Sequence, residues 1–262
     1  MVNGAVADDR AGPPRDRIVF LGHSTVLLEL DGVRLLTDPL LRARVWHLRR
    51  HGPLPDAGLT AGLDGVLVSH LHHDHLDLAS LRSLGADTQL FVPAGAGAWL
   101  RSHGFTEVTE LSVGEVAQIG KLTVTAVEAR HDGRRRPRGP EAETLGYLIS
   151  GTHTVYFAGD TELFEEMTEL ADRIDAALLP IAGWGPTLGP GHMDPLDAAR
   201  AAALIKPRLV VPVHWGTLLP IGFARRHRDR LGDPARQFSR HVATLAPGVE
   251  VRTLTPGQQT AL

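Results

Sequence analysis

The stretch Ser69-His70-Leu71-His72-His73-Asp74-His75-Leu76-Asp77 packs four histidines and two aspartates into nine residues. Directly before it, Gly65-Val66-Leu67-Val68 is a short apolar run that reads as a buried strand. A strand ending this way delivers imidazoles and carboxylates into one small volume, which is costly near a core unless something compensates them. A bound cation is that compensation, so the cluster reads as a metal site. His70 and His72, two apart, point to one side of an extended segment. Asp74 and His75 follow where the chain turns, and can point across the same cavity toward a second cation. Neutral imidazole and carboxylate suit zinc, and also manganese or iron. Later in the chain, His131, Asp160 and His214 each follow an apolar strand-like run (122–128, 154–157 and 209–213). Gly159 lets the backbone approach closely beside Asp160.

The elements that must position these groups alternate along the chain. Runs at 18–21, 25–30 and 33–36 read as strands, the last two joined by an Asp31-Gly32 hairpin turn. Asp77 opens a helix through 84, 88–92 is a strand, and 94–103 a helix. Strand pairs are expected over 116–128, broken at Gly120, and over 144–149 with 153–157. Leu163, Phe164, Met167, Leu170 and Ile174 have helical spacing, which predicts a helix over 161–174. A strand at 175–180 follows. Asp194-Pro195 supplies an N-cap with proline at the first helical position, starting a helix to 206. A β-branched strand at 208–213 and a helix at 233–245 close the chain. Strands and helices recur in both halves, so the expected class is α/β, with sheets between helical layers. Segments 40–62 and 131–143 read as long arginine-rich loops.

Composition narrows the chemistry. The 262 residues contain no cysteine, which excludes disulfides, thiolate ligands and a cysteine nucleophile. The formal net charge of −3 gives no basic field for nucleic acid. Only Lys121 and Lys206 are lysines among 27 basic residues, a bias read as codon usage. No apolar run is long enough to span a bilayer. Residues 1–16 are polar and rich in Gly, Pro and Asp, without the apolar centre of a signal peptide, and read as a flexible lead-in. Residues 17–262 are expected to form a single domain of a cytoplasmic protein.

The set His70-x-His72-x-Asp74-His75, His131, Gly159-Asp160 and His214 resembles the binuclear metallo-β-lactamase superfamily in motif and order. Gly22-His23-Ser24-Thr25, Thr37-Asp38-Pro39, Gly191-His192-Met193-Asp194-Pro195 and His214-Trp215-Gly216-Thr217 resemble the subgroup of N-acyl phosphatidylethanolamine phospholipase D and ascorbate-6-phosphate lactonase. The resemblance covers roughly residues 17–217. It implies a four-layer αββα sandwich with two divalent cations, zinc before manganese or iron. His70, His72 and His131 would hold one; Asp74, His75 and His214 the other; Asp160 would bridge them. A bridging hydroxide would be the nucleophile, with Asp74 orienting it or moving its proton.

Each residue also has a bland reading. His131 lies in an Arg-His-Asp-Gly sequence that makes an ordinary turn, Asp160 could cap a helix, and His214 could be a satisfied core histidine. Their order along the chain favours the ligand reading for all three. His73 alternates with Leu71 and is left out of the set. Asp77 reads as a helix cap, with support of a ligand histidine as the alternative, and Asp38 as a supporting rather than catalytic group. The subgroup resemblance puts His192 and His23 at the mouth of the site, where they could bind substrate or donate a proton. Trp184 and Leu188 read as pocket walls. Arg42, Arg44, Arg49 and Arg50, and Arg134, Arg135, Arg136 and Arg138, read as solvated loops, with phosphate or carboxylate recognition as the rival. The expected function is hydrolysis of a small anionic ester, a phosphodiester first. A lactone or carboxylic ester, a nuclease, and a non-catalytic metal-binding module are the alternatives.

Overall fold

The computed structural model describes residues 16–137, 139–185, 187–223 and 231–262. Apart from Asp16, the lead-in expected over 1–16 lies outside the described residues, as does Arg138. Strands β1 (Arg17–Gly22), β2 (Thr25–Leu30) and β3 (Val33–Thr37) form an antiparallel meander. Asp31 and Gly32 turn between the last two with φ of 51° and 84°, the left-handed pair that a two-residue hairpin demands. The first sheet grows by parallel addition of three strands to β3, at Gly65–Leu67, Leu90–Pro93 and Val108–Leu111, while Gln259–Ala261 pairs with β1. The second sheet has antiparallel strands Val116–Ile119, Leu122–Glu128, Leu145–Ser150 and Thr154–Phe157, then parallel strands Ala176–Pro180, Leu209–Val213 and Glu250–Val251.

Side-chain alternation makes the layers. Ile18 and Phe20 of β1 face the second sheet and join Val124, Tyr147, Phe157 and Val211 in a core between the sheets. Val19 and Leu21 face the other way, against helices α1 (Leu78–Leu84) and α2 (Gly97–Ser102). On the far side Tyr156, Ala177 and Val210 pack against α3 (Pro195–Ile205) and α4 (Asp233–Leu245). The result is the expected αββα sandwich. Asp194 caps α3 through the Leu196 and Asp197 amides, and Lys206 ends it at φ 52°. Among the described residues, no helix is long and apolar enough to cross a membrane.

The helix expected over 161–174 is absent; only Glu165–Leu170 forms a short 3₁₀ turn. The preceding residues are engaged elsewhere: Thr161 Oγ1 accepts from the Arg130 amide at 2.9 Å, and the Glu162 amide donates to Arg130 O at 3.1 Å. The segment 40–62 is not wholly loop. Arg44–Val45 and Leu48–Arg50 form a hairpin that pairs with Leu218–Pro220 in a third, three-stranded sheet. Val108–Leu111 forms the edge strand of the first sheet although its sequence VTEL has no clear alternation.

Strands β1, β3 and Gly65–Leu67 run one way in the first sheet; Leu122–Glu128, Thr154–Phe157, Ala176–Pro180 and Leu209–Val213 share one direction in the second. Their C-terminal ends therefore meet at one edge of the sandwich. Tyr147 stitches the two sheets there, its hydroxyl donating to Val68 O at 2.8 Å.

Candidate metal centre

His23, Asp38, His70, His131, Asp160 and His214 each sit within three residues of one of those strand ends, and His72, Asp74 and His75 follow His70 in the same loop. Three of them, His23, Asp38 and His214, have positive φ of 58°, 34° and 60°, which non-glycine residues adopt only under constraint. Gly159 is needed beside Asp160: at φ 63°, an added Cβ would lie 2.6 Å from Ser69 Cβ.

His70, His72 and His131 present ring nitrogens to one another. His70 Nε2 and His131 Nε2 each lie 3.0 Å from His72 Nδ1. Hydrogen bonds on the opposite ring edges fix the tautomers. His131 Nδ1 donates to Gly191 O at 2.7 Å. Ser69 Oγ donates to Asp38 Oδ2 at 2.6 Å, so it accepts from His70 Nδ1 at 3.0 Å. Both Nε2 atoms thus carry lone pairs, and one proton on His72 could satisfy only one of the two contacts. Burial holds His131 down to about 4 and His70 well below the usual imidazole range, so these rings stay neutral. Three converging lone pairs fit a cation that prefers nitrogen.

Across the cavity, His75 Nε2 and His214 Nε2 lie 3.1 Å apart. His75 Nδ1 donates to Asp38 Oδ2 at 2.7 Å, and His214 Nδ1 to Ala182 O at 2.6 Å. Asp160 Oδ2 lies 3.3 and 3.1 Å from the two Nε2 atoms, and Asp74 Oδ2 lies 3.7 and 3.6 Å from them. Burial opposes charge on these rings, but Asp160 and Asp74 override it, lifting His214 to about 9 and His75 well above its ordinary value. The pair therefore calls for positive charge, as protons or as a metal. Asp160 Oδ1 is buried without a hydrogen-bond partner. Asp160 also groups with His131 and His192, so it stands between the two sets. The donor chemistry and the orphaned oxygen fit divalent cations.

The structure brings all seven sequence-selected ligand candidates to this one edge, and gives the remaining residues distinct places. His192 is partly exposed, its Nε2 3.4 Å from Asp160 Oδ2 and its ring edge-on to His131. His23 is not at the mouth. It is 2% exposed, beneath Asp74, with Nε2 2.9 Å from Asp74 Oδ2. Burial, then His214, pulls His23 down to about 3, so it is neutral and donates that bond. Trp184 is more than a wall, since its Nε1 donates to the same Asp74 oxygen at 3.0 Å. Asp77 is the N-cap of α1 and receives a bidentate bond from Arg42 at 2.6 and 2.7 Å. His73 lines the cavity but bonds elsewhere, its Nε2 donating to Arg136 O at 3.0 Å and its ring lying beside Trp46.

A cavity of about 410 Å³ opens over the site, walled by Val45, Trp46, Leu48, Trp184 and Leu188, with Arg136 at its side. Neither arginine reading holds for Arg50 and Arg135, which are buried and bond backbone carbonyls. Their burial depends on carbonyls distant in sequence, and nothing in the local sequence signals it.

Residues 33–215 match the beta-lactamase superfamily domain, and the chain belongs to that family. It is 30% identical over 265 residues to the N-acyl-phosphatidylethanolamine-hydrolyzing phospholipase D 1 of Caenorhabditis elegans, covering 88% of this chain and 72% of that protein. It is 33% identical over 248 residues to a metal-dependent hydrolase of Methanopyrus kandleri, covering 92% of this chain and 98% of the relative. The chain spans 60% of the length of the mycobacterial relatives it matches at 37% identity, over 79% of its own length. A solved metallo hydrolase from Ignicoccus hospitalis shares the fold, with a TM-score of 0.70 at 24% identity over 94% of this chain and 98% of that one.

Proposed function

We propose that this chain is a metal-dependent hydrolase that holds two divalent cations, zinc foremost, and cleaves a phosphodiester-type bond in a small anionic substrate. One observation carries the reading: two groups of ring nitrogens face each other across Asp160, and the rings of His70, His131, His75 and His214 have their opposite edges committed to other partners. In this reading His70, His72 and His131 hold one cation, Asp74, His75 and His214 the other, and Asp160 reaches both. Bound there, the cations would lower the pKa of a water molecule and polarise the scissile bond.

The chain's own groups divide the remaining work. His23 and Trp184 both donate to Asp74 Oδ2, fixing a carboxylate that can accept the proton of an attacking water. Carbonyls of Gly189 and Pro190, 3.2 and 3.1 Å from His192 Nδ1, hold a proton on that nitrogen and leave Nε2 facing the cavity side. Once protonated there, His192 would donate to the leaving oxygen. Arg136 lies at the side of the cavity but is shared with Asp132 at 3.4 Å, so the substrate's negative charge would be met mainly at the histidine-rich end. The phospholipase D among the relatives is consistent with a phosphodiester.

A second reading, hydrolysis of a lactone or carboxylic ester, is favoured by the apolar wall of the cavity and by Arg136 being its one lining arginine among the described residues. The test strips the protein with a chelator, restores zinc or manganese, and assays phosphodiesters, lactones and carboxylic esters side by side. The proposal expects phosphodiester cleavage that vanishes with the metal and returns with it. Lactone or ester turnover without phosphodiester turnover reverses the ranking. Full metal occupancy with no turnover across the panel overturns the hydrolase reading.

A further inference from the structure

Arg135 is 6% exposed, although it lies in an arginine-rich loop four residues beyond His131. Its Nη1 donates to Leu71 O at 2.5 Å and to Leu76 O at 3.0 Å. Those two carbonyls bracket His72, His73, Asp74 and His75. Nη2 donates to His73 Nδ1 at 3.1 Å, which leaves the His73 proton on Nε2, and Nε2 donates to Arg136 O at 3.0 Å. His73, which belongs to none of the grouped donor sets, thereby becomes a tie between the two ligand-bearing loops. The guanidinium stacks 4.9 Å over Trp99. No carboxylate pairs with it among the described residues; Asp77 and Asp74 act only at longer range. The aliphatic stem lies under Gly139, where an added Cβ would come within 2.7 Å of Arg135 Cβ. Burial lowers the guanidinium to about 10, and it stays charged at neutral pH.

Burying an unpaired cation is unfavourable, so the arrangement needs a compensating role. The carbonyls of Leu71 and Leu76 supply one. Left unpaired in the interior, each would cost as much as a lost hydrogen bond. The five donors of a guanidinium can serve both carbonyls and a ring nitrogen at once, which an ammonium cannot match in this geometry.

We propose that Arg135 is a positioning residue that holds the 71–76 loop and the loop carrying His131 in their binding geometry before any cation arrives. The proposal rests on reading the site as a metal centre. Its consequence is preorganisation: without Arg135, binding a cation must also order both loops. Groups that orient metal ligands from behind typically change affinity about 10–100-fold.

The experiment compares wild type, Arg135→Met and Arg135→Lys, each stripped of metal and titrated with zinc against a chromophoric chelator. Hydrogen exchange of the metal-free proteins is followed in parallel. Arg135→Met is expected to bind zinc at least about tenfold more weakly, with Arg135→Lys between the two. Amides of 71–76 are expected to be protected in metal-free wild type and to lose that protection in Arg135→Met, while the central strands keep theirs. A lowered melting temperature with unchanged zinc affinity and loop exchange would show a packing role only and overturn the proposal. So would fast exchange of 71–76 in metal-free wild type, a measurement that stands even if Arg135→Met does not fold. Wild type that binds no zinc would overturn the metal reading instead, and the exchange comparison would still decide whether Arg135 orders the loops.

Discussion

Asp38 offers a direct test of how the site is held. It is fully buried at the end of β3 and takes no part in the proposed chemistry. Its Oδ2 accepts from His75 Nδ1 at 2.7 Å and Ser69 Oγ at 2.6 Å, and its Oδ1 from the Ser69 amide at 2.7 Å. Burial raises its carboxyl above the ordinary range, against the pull of His75 and Ser69. In Asp38→Asn the side-chain volume is kept, but one acceptor becomes an NH₂. Whichever way the amide points, that NH₂ meets an existing donor. One orphaned buried donor costs about 1–3 kcal/mol, and the lost charge-assisted bond to His75 about 1.5–3 kcal/mol. Together these sum to about 2.5–6 kcal/mol, and the range for breaking a buried pair narrows the expected loss to roughly 3–5 kcal/mol. For a chain of this size that is a fall in melting temperature of roughly 6–20 °C. Because His75 loses the partner that fixes its tautomer, zinc affinity should also fall about 10–100-fold at the Asp74–His75–His214 group. Chemical denaturation of the metal-free protein and zinc titration measure the two effects separately. Stability within about 1 kcal/mol of wild type, with unchanged zinc stoichiometry, would refute the reasoning.

Two further predictions concern proton movement. His192→Ala should lower turnover about 10²–10⁴-fold with metal content intact, and wild-type turnover in that variant would remove His192 from the mechanism. Metal uptake should be chemically uneven. His131, held down to about 4, and His70 are neutral at pH 7, so a cation entering their group displaces no proton from either ring. Asp160 and Asp74 raise His214, to about 9, and His75, so the pair carries proton charge at pH 7 that a cation at the second group must displace. Affinity at that group therefore weakens as pH falls below about 9. Calorimetric titration in buffers of differing ionisation heat resolves the steps; equal proton release at both would contradict the assignment.

The strand ends were legible in the sequence because each couples a short apolar run to a polar residue, as at Leu209–Val213 before His214. Strand direction then determines that such ends gather at one edge. Less was legible where distant partners override local pattern. The spacing of Leu163, Phe164 and Met167 is helical, but Thr161 and Glu162 are drawn into hydrogen bonds with Arg130. His23 reads as a loop histidine near glycine, yet Thr217 and His214 hold its backbone and Asp74 its ring. The bond from Trp184 to Asp74 spans 110 residues, beyond any local signal.

The arginine-rich loops make the same point with a consequence for recognition. In sequence they look equally suited to bind an anion. In the structure Arg42 grips Asp77, Arg50 and Arg135 bind carbonyls, and Arg134 pairs with Glu141 at 2.9 Å. Arg136 alone among these reaches the cavity, and it lies 3.4 Å from Asp132. A guanidinium already shared with an exposed carboxylate contributes little to holding an anion. Under the proposed function, a substrate's negative charge must therefore be matched mainly at the histidine-rich end of the cavity. Trp46, Leu48 and Trp184 are left to select the apolar shape of the group attached to it.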